Sequence, residues 1–301
     1  MTTQLTSPAK QPVAAEPMVL RKPVTTTSDK VVSGASHTIL VIWSVIVVLP
    51  LLWTVMSSFK TSSEIFASPF SLPTVWRFEN YARAWTDSGI GASFLNTLIV
   101  VGCALLLVML LGSMCAYVLA RFNFRGSRAI YLAMLAGLTF PIFLAIVPLF
   151  GILRSMGLLN TLPGLILVFT AFALPFTVFF LFSFFKSLPF EIGEAAAIDG
   201  AGEWRTFFQV MLPMAKPGLA SVAILNFVGL WNQYLLAVAL NSNPDLRVLS
   251  QALGAFAGQA GYAVDFGALF AAVVTAVVPV LIVYVIFQRQ LQGSVSQGTS
   301  K

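Results

Sequence analysis

Polar and apolar positions separate on a long scale in this chain, with clusters of charge dividing stretches that contain no Asp, Glu, Lys or Arg. The charge-free runs are Val31 to Phe59, Ser88 to Ala120, Ala129 to Leu153, Ser155 to Phe185, Pro217 to Pro244 and Phe266 to Gln288. A helix rising about 1.5 Å per residue needs about 20 residues to cross about 30 Å of hydrocarbon, and every run exceeds that. The pattern predicts six transmembrane helices, near residues 39–59, 94–119, 129–150, 163–185, 217–240 and 266–288. Strand-like alternation is absent, so the expected fold is all-α and polytopic rather than a barrel. Pro141 and Pro148 in the third helix and Pro175 in the fourth predict kinks, which fit a pathway that opens and equally fit ordinary membrane packing.

Between the runs the chain organises into four parts. Residues 1–36 are rich in Thr, Ser, Pro, Lys and Ala without an apolar period, and read as a disordered tail. Residues 37–91 hold the first transmembrane helix and a polar segment beyond it. There Pro69, Pro73, Trp76, Tyr81 and Trp85 predict short ordered pieces at the membrane surface. Residues 92–288 form the main transmembrane domain, with a charged loop at 187–216, and 289–301 form a second tail. The first apolar run starts too late, and lacks the small-residue cleavage pattern, for a signal peptide, so it is expected to be retained. No internal repeat is visible.

Composition fits this picture. The 301 residues are 58% hydrophobic and only 9% charged, against about a quarter charged in soluble domains, and mean hydropathy is +0.89. With the N-terminus inside, 12 of the 17 lysines and arginines fall on the cytoplasmic side and five outside: Lys60, Arg77, Arg83, Arg154 and Arg247. The positive-inside rule therefore places both termini in the cytoplasm of a plasma-membrane protein. The net charge of +6 is accounted for by topology and calls for no nucleic acid. Cys103 and Cys115, the only cysteines, read as small packing residues rather than a disulfide or metal pair.

The charged loop between Lys186 and Lys216 reads as helix, turn, helix. Pro189 suits a first helical turn, and Glu191 and Glu194 then sit near the positive end of the helix dipole. Glu191, Glu194, Ala195 and Ile198 recur at three- and four-residue spacing and share a face. Gly200 and Gly202 interrupt the helix, and a second helix from Glu203 to Met211 is expected to stop at Pro213. Small residues beside a free carboxylate describe a docking knob, though a plain connector with solubilising charge has the same composition.

Glu194-Ala195-Ala196-x3-Gly200-x9-Val210-x-Leu212-Pro213 resembles the E-A-A-x3-G-x9-I-x-L-P signature of the integral permeases of bacterial ATP-binding-cassette importers, with Val210 for isoleucine as the one departure. The similarity covers roughly residues 39–290. Tyr117 to Gly126 looks like the usual end of the second helix, and Phe227-x3-Trp231-Asn232 resembles the smaller, six-span permease of maltose-type sugar importers. The tail after Gly293 lacks the family's usual ending. The resemblance implies a type-1 importer transmembrane domain that works with a second permease, two ATPase subunits, an extracellular solute-binding protein and the surrounding lipid. It also implies that the loop seats on an ATPase, with Glu194, Ala195, Ala196, Ile198, Asp199 and Gly200 as the coupling residues.

For the solute, Asn226, Trp231, Asn232 and Gln233 of the fifth helix combine carboxamides with aromatic faces, as a sugar requires, and equally suit helix packing. Asn96 is expected to bond between helices. The chain has no G-x4-G-K-[ST], so ATP is expected to be hydrolysed on another chain, and no cofactor is implied. The apolar runs hold no acid or lysine, which weakens an ion-coupled secondary transporter, and His37 has no catalytic company. Gly254-x3-Gly258 is read as part of a loop. The resulting expectation is an importer permease for a carbohydrate, with an amino sugar or oligosaccharide among the candidates. Its overall look is similar to permeases for N-acetylglucosamine or its disaccharide, though no single residue carries that similarity. A polyamine or phosphate-ester permease, a secondary transporter and a non-transporting scaffold are the alternatives.

Overall fold

The computed structural model describes residues 27–258 and 264–297, with side chains placed for 32–258 and 264–288. The expectations for residues 1–26 and 298–301, and for the side chains of the C-terminal tail, lie outside the described residues. The described chain is helical throughout: α1 Thr27–Ser57, α2 Ser62–Ala67, α3 Glu79–Thr86, α4 Ile90–Arg121, α5 Ser127–Thr139, α6 Ile142–Ser155, α7 Leu162–Ser187, α8 Glu191–Ile198, α9 Glu203–Arg205, α10 Leu212–Met214, α11 Lys216–Trp231, α12 Leu235–Leu240, α13 Leu249–Ala257 and α14 Phe266–Gln297. A π-helical stretch, Thr206–Met211, joins α9 to α10, and a 3-10 turn, Pro244–Leu246, precedes α13. The chain divides into two compact units, residues 1–51 and 52–301.

Four helical stretches, Val32–Ser57, Ile90–Arg121, Leu162–Ser187 and Phe266–Gln288, are long and apolar enough to cross a bilayer unbroken. Two bent pairs bring the number to as many as six if each counts as one crossing. The structure thus departs from six straight spans. The expected third helix is broken, with α5 and α6 meeting at 108°. Phe140 is extended there and Pro141 caps α6, because proline removes an N–H and pushes its predecessor out of the helical region. Pro148 and Pro175 stay inside their helices. The expected fifth helix also breaks, at Asn232 to Tyr234, and resumes as α12. In the other direction α1 starts at Thr27, inside the expected disordered tail, since no proline lies between Thr27 and Pro50 to stop it.

Packing in the second unit centres on α4 and α7. One apolar cluster joins Val100, Ala104, Leu165 and Phe169 to Trp231, Leu236 and Ala271. A second, at the other end of the same pair, joins Tyr117, Leu181 and Phe185 to Phe207, Met211 and Val222. Asn96 does not bond to a neighbouring helix in its span. It donates to the carbonyls of Asp245 and Arg247, at 3.1 and 3.0 Å, and so fastens α4 to the turn before α13. Gly254 lies within α13, so the expected loop there is a helix, and Tyr234 occupies the space beside it. Cys103 is exposed and Cys115 half-buried, both free thiols, so only Cys115 behaves as a packing residue.

The segment before α4 is ordered by polar contacts. Thr61 and Glu64 form a reciprocal cap on α2. Glu64 also accepts from the Thr74 hydroxyl at 2.6 Å and the Thr74 N–H at 2.7 Å. Those bonds, the hydroxyl first, hold its carboxyl below the ordinary carboxylate range. A carboxyl depressed on folding contributes fully above its unfolded value and loses that contribution as pH falls through the folded one. The 61–74 segment is therefore expected to loosen as pH falls below the ordinary carboxylate range. Amide exchange corrected for intrinsic rates should show this, and Glu64→Gln should remove the pH dependence.

Candidate functional site: the α7–α11 loop and the cleft beside α11

The loop after α7 is fixed at its entrance. Leu188 precedes a proline and is extended. The helix then starts at Glu191 with Phe190 as its cap, so Pro189 stands before the helix rather than in its first turn. Arg121, at the end of α4, donates to the carbonyls of Leu188 and Pro189 at 2.9 and 3.3 Å. Its guanidinium lies over the Phe190 ring at 4.6 Å from the centroid. Removing those donors with Arg121→Ala is expected to loosen α8 without touching its sequence. Faster proteolytic cutting between residues 187 and 203 would register it.

The exit of α8 is equally specific. Ala201 N–H bonds to the Ala196 carbonyl at 2.9 Å and Gly200 N–H to that of Ala197 at 3.0 Å, the paired bonds of a Schellman cap. Gly200 supplies the left-handed residue this cap needs, at φ +76°. A side chain there costs about 1–2 kcal/mol. Gly202 by contrast is extended and caps α9. The following helix does not stop at Pro213: the π-helical stretch runs into α10, where the proline occupies a first-turn position with no N–H to lose.

The result is a knob with two faces. Ala196 and Thr206 are buried, and Phe207 and Met211 are buried in the apolar cluster at the α4–α7 end. Glu194, Ala195 and Asp199 are exposed, and Ile198 is 86% exposed. The carboxylate of Glu194 has no hydrogen bond or ion pair with another described residue; with Arg121 and Glu203 it lines a hollow of about 170 Å³. Sequence reading missed a second exposed element, Trp204 and Phe208, whose rings stack 6.0 Å apart at 12°. Their four-residue spacing beyond Gly200 is the signal that points to them. An exposed isoleucine, a stacked aromatic pair and an unpaired acid on one short loop form a surface suited to another protein.

The four expected solute-contacting residues do not converge. Asn226 is buried and donates to the Thr177 hydroxyl at 2.7 Å. Trp231 is buried and donates to the Ala276 carbonyl at 3.1 Å. Asn232 bonds back to the Val228 carbonyl at 2.8 Å, and with Trp231 it borders a different hollow, towards Val273. Asn226 and Gln233 share a cleft of about 280 Å³ between α6, α7 and α11.

A multi-pass helical domain with an exposed, charged loop and an uncharged cleft among its helices fits the class of membrane permeases. A family model for the inner-membrane component of binding-protein-dependent transport systems matches residues 108–297. The chain belongs to that family and is the permease subunit of an ATP-binding-cassette importer, with the ATPase on a separate subunit. It is 66% identical over 272 residues, 90% of each chain, to the diacetylchitobiose uptake system permease protein NgcG of Streptomyces coelicolor. The trehalose transport system permease protein SugB of Mycobacterium tuberculosis is 32% identical over 253 residues, 84% of this chain and 92% of that one. In fold it is similar to a chain of a bacterial ABC transporter involved in the import of alginate, with TM-score 0.78 over 89% of this chain and 99% of that one, at 23% identity.

Proposed function

We propose that this chain, paired with a second permease, forms the membrane pathway for diacetylchitobiose, delivered by an extracellular solute-binding protein and driven by two cytoplasmic ATPase subunits. Identity of 66% along nine-tenths of both chains to a permease named for that disaccharide supports the substrate. The observation that carries the mechanism is the knob, where Glu194 and Ile198 face outward while Ile192 of the same helix packs against the apolar cluster of α4 and α7. Closure of the ATPase pair moves the knob, and the knob moves α4 and α7, because Phe207 and Met211 pack in one cluster with Tyr117, Leu181 and Phe185. Glu194 meets a basic residue of the ATPase, and Ala195, Asp199 and Gly200 shape the surface around it, with Ala196 buried beneath.

This mechanism requires the 187–216 loop and both termini in the cytoplasm, which the distribution of lysine and arginine supports. The test uses the assembled importer with Cys103 and Cys115 replaced by serine and Ile198→Cys added. A membrane-impermeant maleimide should label Ile198→Cys in inside-out vesicles only, and the ATPase subunit should protect it. Labelling in right-side-out vesicles, or none of the expected protection, would contradict the arrangement. Uptake of diacetylchitobiose by proteoliposomes carrying all subunits tests the substrate.

A further inference from the structure

Along α7, Phe169, Phe172 and Phe176 repeat at three- and four-residue spacing, which places them on one face. All three border the cleft shared by Asn226 and Gln233. Phe180 extends the aromatic row past the cleft, its ring 4.6 Å from that of Phe176. Opposite the row stand Ile142, which follows the 108° break, and Gly229 on α11, which has no neighbour within 4 Å of where a side chain would begin.

Gln233 differs from its neighbours in one respect. Its backbone is pinned, since its N–H bonds to the Leu230 carbonyl at 3.2 Å and its own carbonyl accepts from the Ser250 hydroxyl at 2.9 Å. Its carboxamide is half-buried at the cleft wall and has no hydrogen-bond partner among the described residues. A carboxamide left unpaired beside apolar side chains carries a desolvation cost that a polar ligand relieves. Asn226 is held by an N–H bond from its amide to Thr177, so Gln233 is the cleft carboxamide with neither its donors nor its acceptor engaged among the described residues.

Resting on the substrate reading above, we propose that this cleft is a station for an N-acetylated hexosamine ring on its way through the membrane. The acetamido group pairs with the Gln233 carboxamide, and the apolar face of the ring lies on Phe172 and Phe176. The chemistry matches on each count. The trans acetamido group turns either its N–H or its carbonyl to the carboxamide for one hydrogen bond, its methyl suits Ile142 and Leu230, and ring C–H groups suit phenylalanine faces. No charged side chain borders the cleft, in keeping with a neutral solute. Its volume of about 280 Å³ falls near the lower end, about 300 Å³, of small-molecule sites. One ring of a disaccharide is therefore held at a time. Trp231 and Asn232 border a different hollow and serve to position α11, while Asn226 stands at the cleft wall, fixed by its bond to Thr177.

The experiment measures diacetylchitobiose moved per ATP hydrolysed by the complete importer in proteoliposomes, for the unmutated chain, Gln233→Leu, Gln233→Asn, Phe172→Ala and Phe172→Trp. Gln233→Leu and Phe172→Ala are each expected to lower that ratio about fivefold, with ATP turnover within about twofold of the parent. Gln233→Asn and Phe172→Trp should recover part of it. Unchanged ratios in both disruptive variants would overturn this inference alone, as would ATP turnover that falls in proportion to uptake. An unmutated importer that hydrolyses ATP with the loaded binding protein yet moves no disaccharide would overturn the substrate assignment, and this inference with it.

Discussion

Reversing one charge on the knob, Glu194→Lys, is expected to lower ATP-driven uptake about a hundredfold or more while leaving the permease folded. Glu194 is exposed and has no partner among the described residues, so no internal bond is lost. Surface substitutions of that kind cost within about 0.5 kcal/mol of stability. Its environment also tolerates a longer side chain, since the adjacent hollow of about 170 Å³ is open to solvent. The loss arises at the interface, where a lysine facing a basic residue replaces an attraction by a repulsion, a difference of several kcal/mol once the pair is shielded from water. Glu194→Gln separates charge from shape, and about a tenfold loss is expected for it. Uptake, ATP turnover and co-purification of the ATPase should be measured together. Parental uptake with normal sugar moved per ATP in Glu194→Lys would remove this residue from the coupling contact.

The sequence made the class of molecule legible because its main signals are local. A bilayer demands long uncharged stretches, and six of them are visible without any knowledge of packing. The knob was legible for the same reason: Gly200 must end α8, and Glu194 and Ile198 must share its outer face, whatever surrounds them. What the sequence hid depends on neighbours far along the chain. Pro141, Pro148 and Pro175 look alike in sequence, yet only Pro141 breaks a helix. Which carbonyls and side chains are at hand to accommodate a proline is a tertiary matter. The same holds at Asn226 and Gln233, two carboxamides on one apolar stretch. Thr177, 49 positions earlier, takes an N–H bond from the first, while the second has no partner among the described residues. Composition placed both near solute, and only contact separates the structural one from the available one.

Buried polar order explains why a single methyl group elsewhere is expected to have a large effect on stability. Gly267, in the first turn of α14, lies so close to the turn after α1 that a Cβ would collide with the Lys60 carbonyl oxygen and stand 2.7 Å from the Asn80 amide nitrogen. Neither can give way cheaply. Asn80 is fully buried and donates to the carbonyls of Ser58 and Lys60 at 2.8 and 2.9 Å. Its own carbonyl accepts from Arg83 at 2.6 Å, and Arg83 pairs with Asp265 at 3.0 Å. Lys60 is also fully buried, with its ammonium donating to the Ser68 and Pro69 carbonyls. Moving that carbonyl disturbs the turn that seats a buried ammonium, which also donates to the Ser71 hydroxyl at 3.4 Å and feels the Glu64 carboxylate, and breaking such a set costs several kcal/mol. Gly267→Ala is therefore expected to cost about 2–3 kcal/mol, the upper range for overpacking, and Gly267→Val more. The control is Gly102→Ala on α4, where nothing lies within 4 Å and helix propensity favours alanine by up to about 1 kcal/mol. Thermal unfolding of the purified permease complex should show a clear drop in Tm for the first and none for the second. If Gly267→Ala melts with the parent, the start of α14 is not closely packed against Lys60 and Asn80, and the ordering assigned to those two residues fails with it.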